Sequence, residues 1–176
     1  MKKSALIIFV LSLCAFLSSC SRAGTGQTES QTTVNEATMT DLRQALVKAC
    51  DEMDRMARSK NMQGVAVATV LPAGSDVDWI GEMKVVDTPT NPEGGQTGWN
   101  LVAIAWSKAG EVIASGADSG NPDRKCMMGE LNFVGGAYGE AEGYKFAFAF
   151  SGGLSEDDFA VAQHGISVIK SILFGE

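Results

Sequence analysis

Residues 144–173, YKFAFAFSGGLSEDDFAVAQHGISVIKSIL, constrain the fold of this chain more than any other stretch. Tyr144, Phe146, Phe148 and Phe150 alternate with Lys145, Ala147 and Ala149, the period of two that belongs to a strand with two different faces. Ser151-Gly152-Gly153 lets the backbone reverse sharply with no Cβ to obstruct it. Ser155 is placed to cap a helix, and Glu156, Asp157 and Asp158 suit its positive end. Phe159, Ala162, Ile166, Ile169 and Leu173 then recur at steps of three and four, giving one buried stripe. With residues 131–143 before it, the stretch reads as a β-hairpin, a glycine turn and one long amphipathic helix. Such a unit is a core, and it speaks of fold more than of function.

The N-terminus reads differently. Lys2 and Lys3 give a positive start, and residues 5–17 are apolar but too short to span a bilayer. Leu17-Ser18-Ser19-Cys20 resembles a bacterial lipobox, in which the cysteine is acylated and becomes the first residue of the mature chain. An ordinary signal peptide with an incidental cysteine is the plainer alternative. Acyl chains on Cys20 hold a protein on a membrane without a spanning helix. Ser21 stands where an aspartate can mark inner-membrane retention, so the resemblance implies an outer-membrane anchor with the domain facing the periplasm. Residues 1–20 are therefore assigned to a signal and lipobox. Residues 21–37, rich in Gly, Ser, Thr and Gln, are assigned to a flexible tether, and 38–176 to one domain with a core of ordinary size.

Export sharpens the charge. Removing Lys2 and Lys3 from the 14 basic residues leaves 12 against 21 acidic, a net charge near −9. An acidic surface of this kind argues against a nucleic-acid partner and against adhesion to anionic lipid by charge alone.

Within the domain, residues 38–60 predict a helix capped by Thr40, with Asp41 in its first turn and Leu42, Leu46, Ala49, Met53 and Met56 on one stripe. Residues 64–71, GVAVATVL, predict a strand buried on both faces. A turn at Pro72-Ala73-Gly74-Ser75-Asp76 leads into a second strand over 77–86, with Val77, Trp79, Gly81 and Met83 on one side. Residues 88–98 carry two prolines and three glycines and read as a loop. Residues 99–115 fit two structures. They make a hairpin about Lys108-Ala109-Gly110, or a helix with Val102, Ala105, Trp106, Ala109 and Ile113 on one face, in which Gly110 costs about 1 kcal/mol relative to alanine. Residues 116–128 read as a loop.

Taken in order, these elements resemble the GlcG/HbpS family, whose relatives include the C-terminal domain of PduO-type proteins. The resemblance rests on the opening helix LRQALVKACDEMDRMARSKNM, the strand GVAVATV, the Lys108-Ala109 pair in an alanine-rich segment and the double glycine Gly135-Gly136. Gly143, Ser151-Gly152-Gly153, Asp157-Asp158 and the helix from Ala160 to Gly165 complete it. It implies an α/β (α+β), profilin-like domain, an antiparallel sheet of about five strands with helices packed on it, and it favours the helix at 99–115. It implies a small ligand, haem or a related tetrapyrrole, and relatives that can form homo-oligomers. Two departures stand out. Ala137-Tyr138 follows the double glycine where the family commonly has a proline, and Phe146, Phe148 and Phe150 replace smaller residues and are able to fill a pocket that relatives keep open.

A haem takes an apolar slot and an axial donor, usually His, Met, Cys or Tyr. His164, the only histidine, is one candidate, and Met127 and Tyr138, in or near the glycine-rich region, are the others. Each has a plainer reading: a partly exposed helix histidine, a methionine closing a core, a strand tyrosine. One histidine and scattered cysteines do not make a zinc site. Cys50 and Cys126 remain after Cys14 is removed and Cys20 acylated. They form a disulfide, or pack as two small buried residues, or divide into one buried and one reactive thiol; the place of Cys50 beside its helix stripe favours burial. No catalytic triad can be assembled: Ser151 lacks the G-x-S-x-G frame, and Asp157 and Asp158 are accounted for by the helix dipole. The sequence therefore predicts a lipid-anchored binding domain, with a structural or protein-interaction lipoprotein whose pocket is closed as the rival.

Overall fold

Helix α1 (Met39–Ser59) opens on a capping box two residues earlier than expected. Thr38, not Thr40, is the N-cap: its hydroxyl accepts from the Asp41 N–H at 3.2 Å, and the Asp41 carboxylate accepts from the Thr38 N–H at 3.1 Å. The computed structural model describes residues 38–176 except Gln96. The expected signal, the lipobox Cys20 and the tether lie outside the described residues. No helix among the described residues is long and apolar enough to cross a membrane.

Strands β1 (Gly64–Leu71), β2 (Ile80–Val86), β5 (Gly136–Ala141) and β6 (Tyr144–Ser151) form one antiparallel sheet in the order β2-β1-β6-β5. The α+β class with helices on an antiparallel sheet is as the sequence implied, with four strands in the main sheet. β3 (Thr90–Asn91) and β4 (Trp99–Asn100) pair apart from it and close the proline-glycine loop as a small ribbon. Where a fifth strand would lie, residues 118 and 119 serve the outer edge of β5. The Ser119 N–H donates to Gly136 O at 3.0 Å, Ser119 Oγ accepts from the Gly136 N–H at 2.8 Å, and Asp118 Oδ1 accepts from the Tyr138 N–H at 2.8 Å. One backbone and two side-chain bonds here stand in for part of a ladder.

The two faces of β6 decide the layers. Phe146, Phe148 and Phe150 are fully buried with Ala66, Ala68 and Val70 of β1 against α1 and α3 (Ser155–Phe174). Each such side chain contributes about 1.5–3 kcal/mol on burial. The opposite face presents Ala149 with Val65 and Val67 to Leu101, Ala105 and Ala109 of α2 (Leu101–Ser115). Small residues on both surfaces bring this helix close to the sheet. The segment that fitted either a hairpin or a helix is thus a helix, capped by Asn100 Oδ1 on the Ala103 N–H at 3.0 Å and ended by Gly116 in the left-handed region.

Two boundaries differ from expectation. β2 begins at Ile80 because Ser75 Oγ accepts from the Asp78 N–H at 3.1 Å and donates to Asp78 Oδ2 at 2.9 Å, which holds residues 75–78 in a turn and leaves Val77 exposed. α3 begins after Leu154, and Ser155 is its first helical residue rather than its cap. Leu154 is the N-cap and makes no side-chain cap bond; Asp158 Oδ1 instead accepts from the N–H of Gly153, in the turn before the helix, at 2.8 Å.

Candidate functional site

Lys108 and Glu111 are the only charged residues in the otherwise apolar helix α2, and both are buried. Lys108 Nζ donates to Asp158 Oδ2 at 2.7 Å and to Phe150 O at 2.8 Å, and each side chain of the ion pair is only 4% exposed. The pair ties the middle of α2 across the end of β6 to the first turn of α3. Burial lowers the proton affinity of Lys108, and contact with Asp158 opposes this. Burial likewise raises that of Asp158, against the pull of Lys108 and the Gly153 and Gly152 amides. Gly135 makes the approach possible: at φ +127° it runs past the pair, and a Cβ there would stand 2.6 Å from Lys108 Nζ and 2.8 Å from Asp158 Cβ. Gly136 is tight for a different reason: a Cβ there would stand 2.8 Å from Ser119 Oγ and from Val112 Cγ2.

Above the pair lies a cleft of about 350 Å³. Lys108 and Asp158 line it together with the turn 151–155, Leu101 and Ile104 of α2, and the side chains of Trp99 and Phe133. Trp99 and Phe133 are stacked, with ring centroids 6.4 Å apart and planes 20° from parallel. The Gly94-Gly95 backbone packs on the indole, where a Cβ on Gly95 would meet Trp99 Nε1 at 2.6 Å. The small ribbon thus holds Trp99, paired with Asn91, at the edge of the cleft. Gly152, at φ +151°, brings the opposite wall close to the start of β1, where a Cβ would fall 1.8 Å from Gln63 O. The arrangement is concave, apolar at its mouth and charged at its floor, the usual character of a small-molecule site.

The residues expected to bind haem are placed elsewhere. His164 is half-buried on α3, Tyr138 lies on β5 with its hydroxyl donating to Glu140 Oε2 at 2.9 Å, and Met127 is 61% exposed in the loop before β5. Burial and the Glu140 contact push the Tyr138 phenol above its ordinary range. Met127 is held only through its backbone, whose N–H donates to Glu130 Oε2 at 2.6 Å, while Arg124 clamps the same carboxylate through two bonds of 2.6 Å. None of His164, Tyr138 and Met127 lines the cleft. Cys50 is buried and Cys126 exposed, and both thiols are free. No cluster of three or more His, Cys, Asp or Glu suited to a metal occurs among the described residues.

The cleft residues Lys108, Asp158, Trp99 and Phe133 were not singled out as a site from the sequence. A signal was present in Lys108, a lone cation in an apolar helical pattern, which must find a buried partner or leave the stripe. Asp158 carried no such mark, because three successive acids at a helix start are explained equally by the dipole.

Compared with protein-family models and with curated proteins, the chain matches none. Among solved structures it is similar to the crystal structure of a PduOC:heme complex, at 18% identity over 74% of this chain and 93% of that one, with a TM-score of 0.44.

Proposed function

We propose that this domain is a small-ligand-binding module of the cell envelope, held at a membrane through acylated Cys20, with the cleft over Lys108 and Asp158 as its site. The observation that carries the reading is the cleft itself: a 350 Å³ space with a stacked aromatic wall and a buried ion pair at its floor. In the core between the sheet and α1/α3, Phe146, Phe148 and Phe150 are fully buried.

Haem is the ligand that the family resemblance implies. The cleft does not fit an axially ligated haem, since none of its lining residues is a His, Met, Cys or Tyr. The ligand proposed for it is a smaller organic molecule with a flat apolar part that lies against Trp99. A second reading, a partner-binding lipoprotein, draws support from the apolar residues exposed about the mouth. Leu154 is 72% exposed, and Trp99, Leu131 and Phe133 are exposed as well.

The test uses the compact unit Asn35–Glu176, labelled for NMR and titrated with aromatic fragments and separately with haemin. Shifts gathered on the Trp99 indole N–H and the amides of residues 152–155, abolished by Ser155→Trp at the mouth, are the expected result. Fragments that perturb no cleft resonance overturn the cleft. Haemin that shifts the cleft resonances saturably overturns the exclusion of haem from the cleft, whereas a Soret shift lost in His164→Ala with those resonances unmoved puts haem at a separate site on α3.

A further inference from the structure

We propose that Lys108 captures aldehydes in the cleft as a Schiff base, with Asp158 as its proton partner. The inference rests on the cleft being a ligand site, and deepens it by naming a ligand class: small aldehydes with an aromatic or otherwise flat apolar body.

Three features of the geometry carry it. Lys108 is the one amine that lines the cleft among the described residues, and it is buried. Its ammonium donates to Phe150 O and Asp158 Oδ2, which leaves one of its three donor positions without a protein acceptor among the described residues. Asp158 stands 2.7 Å away, close enough to take a proton directly and return it, while the Gly153 N–H steadies its other oxygen at 2.8 Å. Desolvation is one way a lysine becomes nucleophilic at neutral pH; burial of Lys108 acts in that direction and the Asp158 carboxylate acts against it, so the part of Asp158 is to shuttle the proton.

The step balances. The Lys108 proton passes to the Asp158 carboxylate, and the free amine adds to the aldehyde carbon to give a carbinolamine. Asp158, now the acid, protonates the departing hydroxyl, which leaves as water. The product is a protonated imine on Lys108 beside the Asp158 carboxylate, so the charges of the original pair are restored and no oxidant or reductant is needed. The Trp99–Phe133 wall selects a flat body, and the 350 Å³ volume limits its size.

The test incubates the full-length protein in detergent with benzaldehyde and sodium cyanoborohydride, and maps benzylated lysines by peptide mass spectrometry. Lys108 is expected to be modified ahead of the exposed lysines, because burial lowers its proton affinity. Ser155→Trp, which closes the mouth and leaves the ion pair intact, is expected to remove that preference. Modification of exposed lysines with Lys108 untouched overturns the proposal. Benzyl alcohol, which has the same body and cannot form an imine, separates the two readings: its binding at Trp99 without a Lys108 adduct sinks the Schiff base alone, and absence of both binding and adduct sinks the cleft as well.

Discussion

At the scale of single residues, the buried pair is the most exacting feature of the molecule. Lys108→Ala leaves Asp158 buried without its counter-charge and is expected to cost about 3–5 kcal/mol, measured by urea unfolding. Lys108→Met combined with Asp158→Leu should regain most of that loss, because it removes both desolvation costs together; a double variant as unstable as the single one contradicts this account. Cys50 gives a second prediction. Burial, with Glu82 and Asp51 adding to it, pushes its thiol from an ordinary value of 9.0 up to about 12. The folded value lies above the unfolded one, so the contribution is fully present below pH 9 and is lost as pH rises from 9 to 12. The slope in that window is about 1.4 kcal/mol per pH unit. Cys50→Ala should flatten that part of the stability profile, and a thiol reagent at pH 8 should label the exposed Cys126 and spare Cys50.

At the scale of elements, two helix glycines separate propensity from packing. Gly110 in α2 has open space where a Cβ would stand, so Gly110→Ala is expected to stabilise by about 0.5–1 kcal/mol through helix propensity alone. Gly165 in α3 has none: a Cβ would meet Met53 Sδ at 2.6 Å and Phe148 Cδ2 at 2.7 Å, between α1 and β6. Gly165→Ala should therefore destabilise by about 1–3 kcal/mol despite the same gain in propensity. Thermal melts of the two variants moving in the same direction would contradict this. The contrast was not legible in sequence, since both glycines interrupt helical patterns in the same way. The N-caps show the same limit on a smaller scale. Thr38 and Thr40 are equally able to cap, and the Asp41 side chain three residues on selects Thr38.

At the scale of the whole molecule, one sheet separates two unlike layers, a phenylalanine core under α1 and α3 and an alanine-rich seam under α2. The Lys108–Asp158 pair crosses from one layer to the other. The unit Asn35–Glu176 is thus expected to unfold in a single transition. Far-UV dichroism, which reports all helices, should coincide with the tryptophan fluorescence of a Trp79→Phe variant, which reports Trp99 and Trp106 on the α2 side. Fluorescence that moves first in urea would show that the α2 layer detaches separately and that the pair does not couple them.

The sequence by itself determined the elements whose pattern is periodic: β1 buried on both faces, the two-faced β6, and the stripes of α1 and α3. Hydrophobic period is a local property, and these segments carry it without ambiguity. It also marked the double glycines, since glycine is needed wherever backbone passes close, but it left open what they approach. Tertiary structure decided the rest. The helix at 101–115 was settled by the small residues of the sheet face that receives it, and the outer edge of β5 by the side chains of residues 118 and 119. The cleft draws on α2, the turn after β6, the small ribbon and Phe133. Its floor joins residues fifty positions apart, Lys108 and Asp158. A desolvated charge must find its partner in space, and no period or spacing along the chain specifies where that partner stands.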